Sequence, residues 1–297
     1  MSSIHYTQCP VCSSTSIDPM MKVTDHSVSG EEFVVWQCRS CTLRFTQDVP
    51  DEASIGRYYQ SADYISHSDT DKGLVNKMYR RVRAFTLGRK ADLVISKTKS
   101  NGRLLDVGAG IGAFVHTMQS RGWQATGVEP DAGAREQALR LFNIRLQDAG
   151  YIEQLRGQQF DAITLWHVLE HVHDLHGYMN QLRSILAPGG RLFIAVPNYD
   201  SVDAAIYKSR WAAYDVPRHL YHFTPRSMAA LLEQHGFKIA QKKPMWFDSF
   251  YISLLSSRYR HGSPSWIGAA MSGLRSNITA LFNTDRCSSV IYITAPV

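Results

Sequence analysis

The chain has 297 residues, 44% of them hydrophobic and 20% charged, with a formal net charge of +6. That balance excludes a disordered chain and supplies the apolar material for a core, and the length suits a domain of about 200 residues with an appendage. The opening Met-Ser-Ser-Ile-His-Tyr lacks the basic start and apolar stretch of a signal peptide, and no stretch has the ~18 apolar residues of a bilayer span, so a cytoplasmic protein is expected.

Residues 1–50 hold four of the five cysteines, and Phe33, Val34, Val35 and Trp36 mark a strand among short turns. Cys9-Pro-Val-Cys12 and Cys38-Arg-Ser-Cys41 are two Cys-x-x-Cys pairs separated by 25 residues, the spacing of two knuckles that close one tetrahedral thiolate site. Four thiolates leave no open position, so a structural Zn²⁺ is expected; a redox dithiol is the rival reading. Cys287 has no partner in this pattern.

Residues 51–100 read as a helical connector. Tyr58, Tyr59 and Tyr64 lie in a polar segment, and helical spacing of Leu74, Met78, Val82 and Phe85 predicts a helix from about Leu74 to Ile95. Between Lys72 and Lys99, seven further basic residues face only Asp92, which makes either a solvated helix face or an anion-binding surface.

Residues 101–297 alternate short apolar strands with amphipathic helices, the signature of a doubly wound α/β sheet. Strand cores are predicted at Arg103–Val107, Ala125–Glu129, Ile144–Leu146, Phe160–Trp166 and Leu192–Val196, with helices at Gly112–Arg121, Ala132–Phe142 and Leu175–Leu186. A helix at Pro225–His235 precedes a sixth strand near Phe237–Lys242, and Ser289–Thr294 forms a seventh. The aromatic-rich insert at about 245–286 is expected to pack under the sheet edge in preference to contacting a membrane.

The clearest chemistry lies in Leu104-Leu105-Asp106-Val107-Gly108-Ala109-Gly110-Ile111-Gly112, a strand entering a glycine loop that opens a helix. Glycines let the backbone turn tightly and approach a nucleotide-type ligand. Glu129 ends the next strand, 21 residues after Gly108, where a carboxylate can accept bonds from ribose hydroxyls. The Gly-x-Gly-x-Gly spacing and the nearby Asp106 suit a cofactor bearing an ammonium and a sulfonium better than a dinucleotide diphosphate.

From about Gly102 to Phe237 the chain resembles the class I methyltransferases, particularly the methyltransferase-23-like group. The matching pieces are the glycine loop, Gly127-Val128-Glu129-Pro130, Phe160 to Val172, and Leu186-Ala187-Pro188-Gly189-Gly190-Arg191-Leu192. The resemblance implies a seven-stranded Rossmann-like sheet with an antiparallel last strand and S-adenosylmethionine across the strands' carboxyl ends. It further implies that Asp106, Gly108, Ala109, Gly110, Gly112, Glu129, Pro130, Asp131 and Asp148 hold the cofactor, and that Trp166, His167 and Leu169 face its methionine part and the reacting methyl.

Methyl transfer needs orientation and, for a protonated nucleophile, a base. Pro217-Arg218-His219-Leu220-Tyr221-His222-Phe223-Thr224 resembles a segment that recurs in the same group. It offers His219 or His222 as the base, with Arg218 and Tyr221 orienting the acceptor. Glu170-His171 reads as a structural anchor of the post-strand turn. The resulting expectation is a methyltransferase for a small-molecule or glycan-precursor acceptor. An RNA methyltransferase and a non-catalytic S-adenosylmethionine-binding protein are the alternatives, and a nicotinamide-dependent dehydrogenase comes last.

Overall fold

The computed structural model describes residues 2–59, 74–98 and 101–297, and of residues 74–81 and 83 the backbone alone. Tyr64, Lys72 and Lys99 lie outside the described residues. The N-terminal strands are β1 (Ser3–Ile4), β2 (Ile17–Thr24), β3 (Glu32–Cys38), β4 (Arg44–Thr46) and β5 (Val49–Pro50). Helix α1 (Leu74–Lys97) buries Ala91 and Val94 and leads to the central sheet.

That sheet alternates β6 (Arg103–Val107), α2 (Ala113–Ser120), β7 (Gln124–Val128), α3 (Ala132–Phe142), a short α4 (Tyr151–Gln154), β8 (Phe160–Trp166), α5 (Leu175–Ile185) and β9 (Leu186–Pro197). There follow α6 (Val202–Tyr207), β10 (Tyr221–His222), α7 (Pro225–Gln234), β11 (Phe237–Pro244), α8 (Asp248–His261), α9 (Trp266–Phe282) and β12 (Ser289–Pro296). The order across the sheet is β11-β12-β9-β8-β6-β7, parallel from β9 to β7, with β12 antiparallel to both neighbours. Strands β6, β8 and β9 are buried almost throughout, as a sheet covered on both faces requires.

Among the described residues six strands, not seven, form this sheet. The stretch predicted as a third strand, Ile144–Leu146, is reduced to one bridge between Gln147 and Val128. Glu129 donates to the Gln147 carbonyl and Gln147 to the Gly127 carbonyl, both at 2.9 Å. Pro130 then follows without an N–H and the ladder stops. Helix starts follow local chemistry: Asp131 caps α3 through the Ala134 N–H, and Thr224 with Ser227 makes a capping box on α7 with Pro225 in its first turn.

The 217–224 segment contributes a strand to a second sheet. Tyr221 and His222 pair antiparallel with Phe45 and Arg44, giving the four-stranded order β10-β4-β3-β2. Residues 1–50 are therefore joined to the rest of the chain through backbone ladders. Arg218 seals the junction: fully buried, it bonds Asp25 at 2.9 Å, Asp215 at 2.6 Å and the Tyr58 carbonyl at 2.7 Å, and it also reaches Ser27. Burial works against ionised Asp25, but Arg218 and the Ser29 N–H outweigh it and hold the carboxyl well below its usual range.

The insert forms the hairpin α8–α9. Its small residues Ala269, Ser272, Gly273, Ser276 and Ala280 are buried, whereas Trp246, Phe247, Phe250, Tyr251 and Trp266 are exposed, so these aromatics are not packed under the sheet edge as expected. The expected packing assumed that large apolar side chains would be the ones buried; a close helix pair needs small ones there instead. No helix among the described residues is long and apolar enough to cross a membrane.

Removing one partner from a buried ion pair costs about 3–5 kcal/mol, so Arg218→Met should lower the urea-unfolding free energy by that order. Because Asp25 has a depressed folded pKa, its contribution is complete above the unfolded carboxylate value of about 4 and is lost as pH falls below it. The stability gap between wild type and Asp25→Asn should narrow from pH 7 to pH 3. A gap independent of pH would refute the pairing.

Candidate active site

The turn after β6 brings the glycine loop under the strand-end segment that follows β8. Gly108 has φ +66°, and a Cβ there would stand 2.4 Å from Val168, so only glycine lets the two segments close together. Gly110 has φ +53° and open space where a Cβ would project. Its N–H donates to Glu129 Oε2 at 2.7 Å, while the Asp131 N–H reaches Oε1 at 3.0 Å. Glu129 is thereby held over the loop with lone pairs to spare.

Asp106 is buried beneath the loop and accepts a bond from Thr164 at 2.6 Å. Burial pushes its carboxyl up to about 7 against the pull of Thr164 and Lys90. Pro130, Asp131 and Asp148 form an exposed rim beside Glu129. Gly112 packs toward Ala138, where a Cβ would come within 3.1 Å, so its role is to close the helix onto α3. Leu169 is fully buried in the core below, not directed at the cleft.

Trp166 ends β8 with its ring against Phe114 and beneath the Lys90 ammonium, 4.4 Å from the centroid, and its buried Nε1 has no hydrogen-bond partner among the described residues. His167 follows with φ +60° and lies between two carboxylates, its Nε2 2.8 Å from Asp248 and its Nδ1 3.5 Å from Glu170. Burial disfavours its charge, but Asp248 and Glu170 prevail and raise the imidazole to about 10. Glu170 is fully buried, neither of its oxygens has a hydrogen-bond partner among the described residues, and His167 and His219 keep it below the usual range against the effect of burial.

Backbone contacts carry the 215–222 segment to this cluster. The Leu220 N–H donates to the Glu170 carbonyl at 2.8 Å. His219 Nδ1 lies 2.8 Å from the Ala213 carbonyl, and His171 Nδ1 lies 3.0 Å from the Arg218 carbonyl and 3.1 Å from the Tyr59 hydroxyl. Protons on both Nδ1 atoms leave both Nε2 atoms as acceptors. The ligand atoms of Glu170, His171 and His219 lie within 4.8 Å of one another, an arrangement that could also hold a cation. Burial and His219 press His171 down to about 4, so it is neutral at pH 7.

The comparisons with known proteins agree with this construction. Residues 78–242, more than half of the chain, match a family model described as a methyltransferase domain. The chain belongs to this methyltransferase family. It is 26% identical over 163 residues to the ubiquinone biosynthesis O-methyltransferase of Xanthomonas axonopodis pv. citri, covering 49% of this chain and 66% of that protein. The namesake from Dinoroseobacter shibae is 27% identical over 49% of this chain and 64% of its own length. The matches thus span just under two thirds of those relatives. Among solved structures, the magnesium protoporphyrin IX methyltransferase of Synechocystis with bound SAH aligns with TM-score 0.52 at 14% identity over 83% of this chain and all of that one, a likeness of fold.

Within the methyltransferase, the other residues singled out in the sequence are placed differently. His222 is buried beside Thr46 and Tyr214, and Tyr221 bonds the Tyr6 hydroxyl and the His173 carbonyl. Together with Arg218 they line the junction with the N-terminal strands, while His219 alone of the four joins the acidic cluster. Glu170, Lys90, Tyr59 and Asp248 were missed. Glu170-His171 was visible in its motif, whereas Asp248 comes from the insert and no spacing announces it.

The four cysteines converge with all sulfurs within 4.8 Å, Cys9 3.5 Å from Cys41 and Cys12 3.5 Å from Cys38. Zinc–sulfur bonds of about 2.3 Å in a tetrahedron place sulfurs about 3.8 Å apart, so the cluster fits a closed thiolate site. The Cys41 thiol donates to Cys9 and holds it down to about 5, which favours a thiolate there.

A His167 imidazolium should be visible by NMR as a histidine titrating near 10, against about 6.5 for a free one. With a raised folded pKa, the His167–Asp248 pair stabilises fully below about 6.5 and is lost as pH rises toward 10. Asp248→Asn should pull the titration down by at least about one unit, and an unmoved titration would disprove the pair.

Proposed function

We propose that this methyltransferase carries a methyl group from S-adenosylmethionine to a hydroxyl of a small-molecule or glycan-precursor acceptor, with a structural zinc in the four-cysteine site. The observation that carries the reading is Glu129, held by two backbone N–H groups above a glycine loop that meets the His167–Glu170–His171–His219 cluster. Bound S-adenosylmethionine supplies an electrophilic methyl on a sulfonium centre. Glu129 would accept from the ribose hydroxyls, with Pro130, Asp131 and Asp148 at the adenosine rim. Asp106 and the loop from Gly108 to Gly112 would hold the amino-acid part, and a cation arriving beside Asp106 would favour its ionised form.

An oxygen nucleophile is supported by the names of the relatives and by the geometry of His219. Its Nδ1–H directed at Ala213 orients the ring and leaves Nε2 to take a proton from the acceptor, with Glu170 and Asp215 near enough to stabilise the imidazolium. His222, Arg218 and Tyr221 would serve by positioning: they fix the segment that carries His219. A buried cluster of titratable groups beside the cofactor loop favours turnover over a binding-only role.

Calorimetric titration with S-adenosylmethionine, run in parallel with NADH, should give saturable binding of the first alone, abolished in Glu129→Ala, with about one zinc per chain by elemental analysis. Binding of NADH alone, or of neither, would overturn the assignment. His219→Gln should keep cofactor affinity and lose roughly 10²–10⁴-fold in kcat, the range for a general base, while His222→Gln should not. Equal kcat in the two variants would remove His219 from that role.

A further inference from the structure

Helix α9 is built inside out for a helix lying on a water-soluble domain. Successive residues turn by about 100°, so Ile267, Met271, Leu274, Ile278, Leu281 and Phe282 fall within one arc of roughly 100°. All are exposed, from Ile278 at 48% to Phe282 at 88%. The opposite arc carries the small buried residues, and its polar groups are used inward: Ser272 receives a bond from Ser253 on α8 at 3.2 Å, and Ser276 donates to Asp203 on α6 at 2.8 Å. A solvated surface helix shows the reverse pattern. These bonds fix α9 in place, so the apolar stripe is a rigid feature of the fold.

Within the hairpin the charge is of one sign. No acidic residue occurs from Ser249 to Thr284, while Arg258, Arg260 and Arg275 are all exposed. The bounding carboxylates have internal partners, Asp248 with His167 at 2.8 Å and Asp285 with Lys242 at 2.5 Å. At the base of the hairpin, exposed Phe85 and Phe247 meet edge to face with centroids 6.0 Å apart. Trp266 opens α9 and is exposed, and an indole is a side chain that favours a membrane interface.

We propose that the α8–α9 hairpin seats the protein on an anionic lipid surface, with α9 lying in the plane of the headgroups and its stripe directed into the acyl chains. A 17-residue helix is about 25 Å long and this one is pinned by its other face, so it lies on the bilayer and does not span it. A second copy of the chain is the poorer occupant. A two-fold contact across this face would bring arginines against arginines with no carboxylate in the hairpin to answer them. Anionic headgroups answer Arg260 and Arg275, and the seat stands whatever reaction the chain performs.

The test is sedimentation of the full chain with vesicles of phosphatidylcholine alone and of phosphatidylcholine mixed with phosphatidylglycerol. Binding to the mixed vesicles is expected, weakening with salt and falling at least about tenfold on the neutral ones. Ile278→Glu and Leu274→Glu replace exposed residues, so their thermal melts should match wild type while vesicle affinity drops at least about tenfold. Arg260→Glu with Arg275→Glu should abolish the preference for phosphatidylglycerol. Failure to bind either vesicle, or binding indifferent to the stripe variants, would overturn the proposal. So would analytical ultracentrifugation showing a dimer that Ile278→Glu dissolves, which would assign the face to a second copy.

Discussion

Arg218 is a guanidinium buried between carboxylates from distant parts of the chain, and the arrangement of the rest follows from it. Asp25 belongs to the cysteine-bearing strands and Asp215 to the segment after α6, so one cation neutralises both and brings the two together. An isolated buried charge is costly, which makes the junction all or nothing: Arg218 finds both acids or is not buried. With it in place, β10 completes the four-stranded sheet, and His219, the next residue, is fixed against the Ala213 carbonyl. A sheet that looks like an appendage thereby sets the position of a side chain in the candidate active site.

The crevice itself is organised by an alternation of charges in a place with little water. Lys90 stands among Asp106, Asp248 and the face of Trp166, and His167 stands between Asp248 and Glu170. Burial drives each group toward its neutral form, and the opposite charges of its neighbours work against that. The price is that several elements must arrive at once, since α1, β6 and the start of α8 each contribute one member and the turn after β8 contributes two. The hairpin whose outer face we assign to lipid thus begins at a residue of the crevice.

Much of this was legible in the chain. Short apolar runs located β6, β8, β9 and β12, the glycine loop with Glu129 marked the candidate cofactor edge, and paired cysteines marked the sulfur cluster. Each of these signals is local, carried by residues within one strand, turn or knuckle. The third strand was overestimated because apolar spacing at Ile144–Leu146 does not reveal how few ladder bonds its neighbour offers before Pro130. Arg218 and Tyr221 were read as facing an acceptor because their motif adjoins the site; the pairing of β10 with β4 turned them to the junction.

What the sequence by itself determined is most elements of the central sheet, the family and the chemistry of the candidate cofactor edge, because those depend on short apolar runs and on residue types at fixed short spacings. Tertiary structure alone decided which histidine joins Glu170, that Asp248 reaches His167 from the insert, and that α9 turns its large apolar side chains outward. The physical reason is the same in each case. Partners separated by tens to hundreds of residues are chosen by burial and charge compensation, quantities that exist only once the chain has closed on itself.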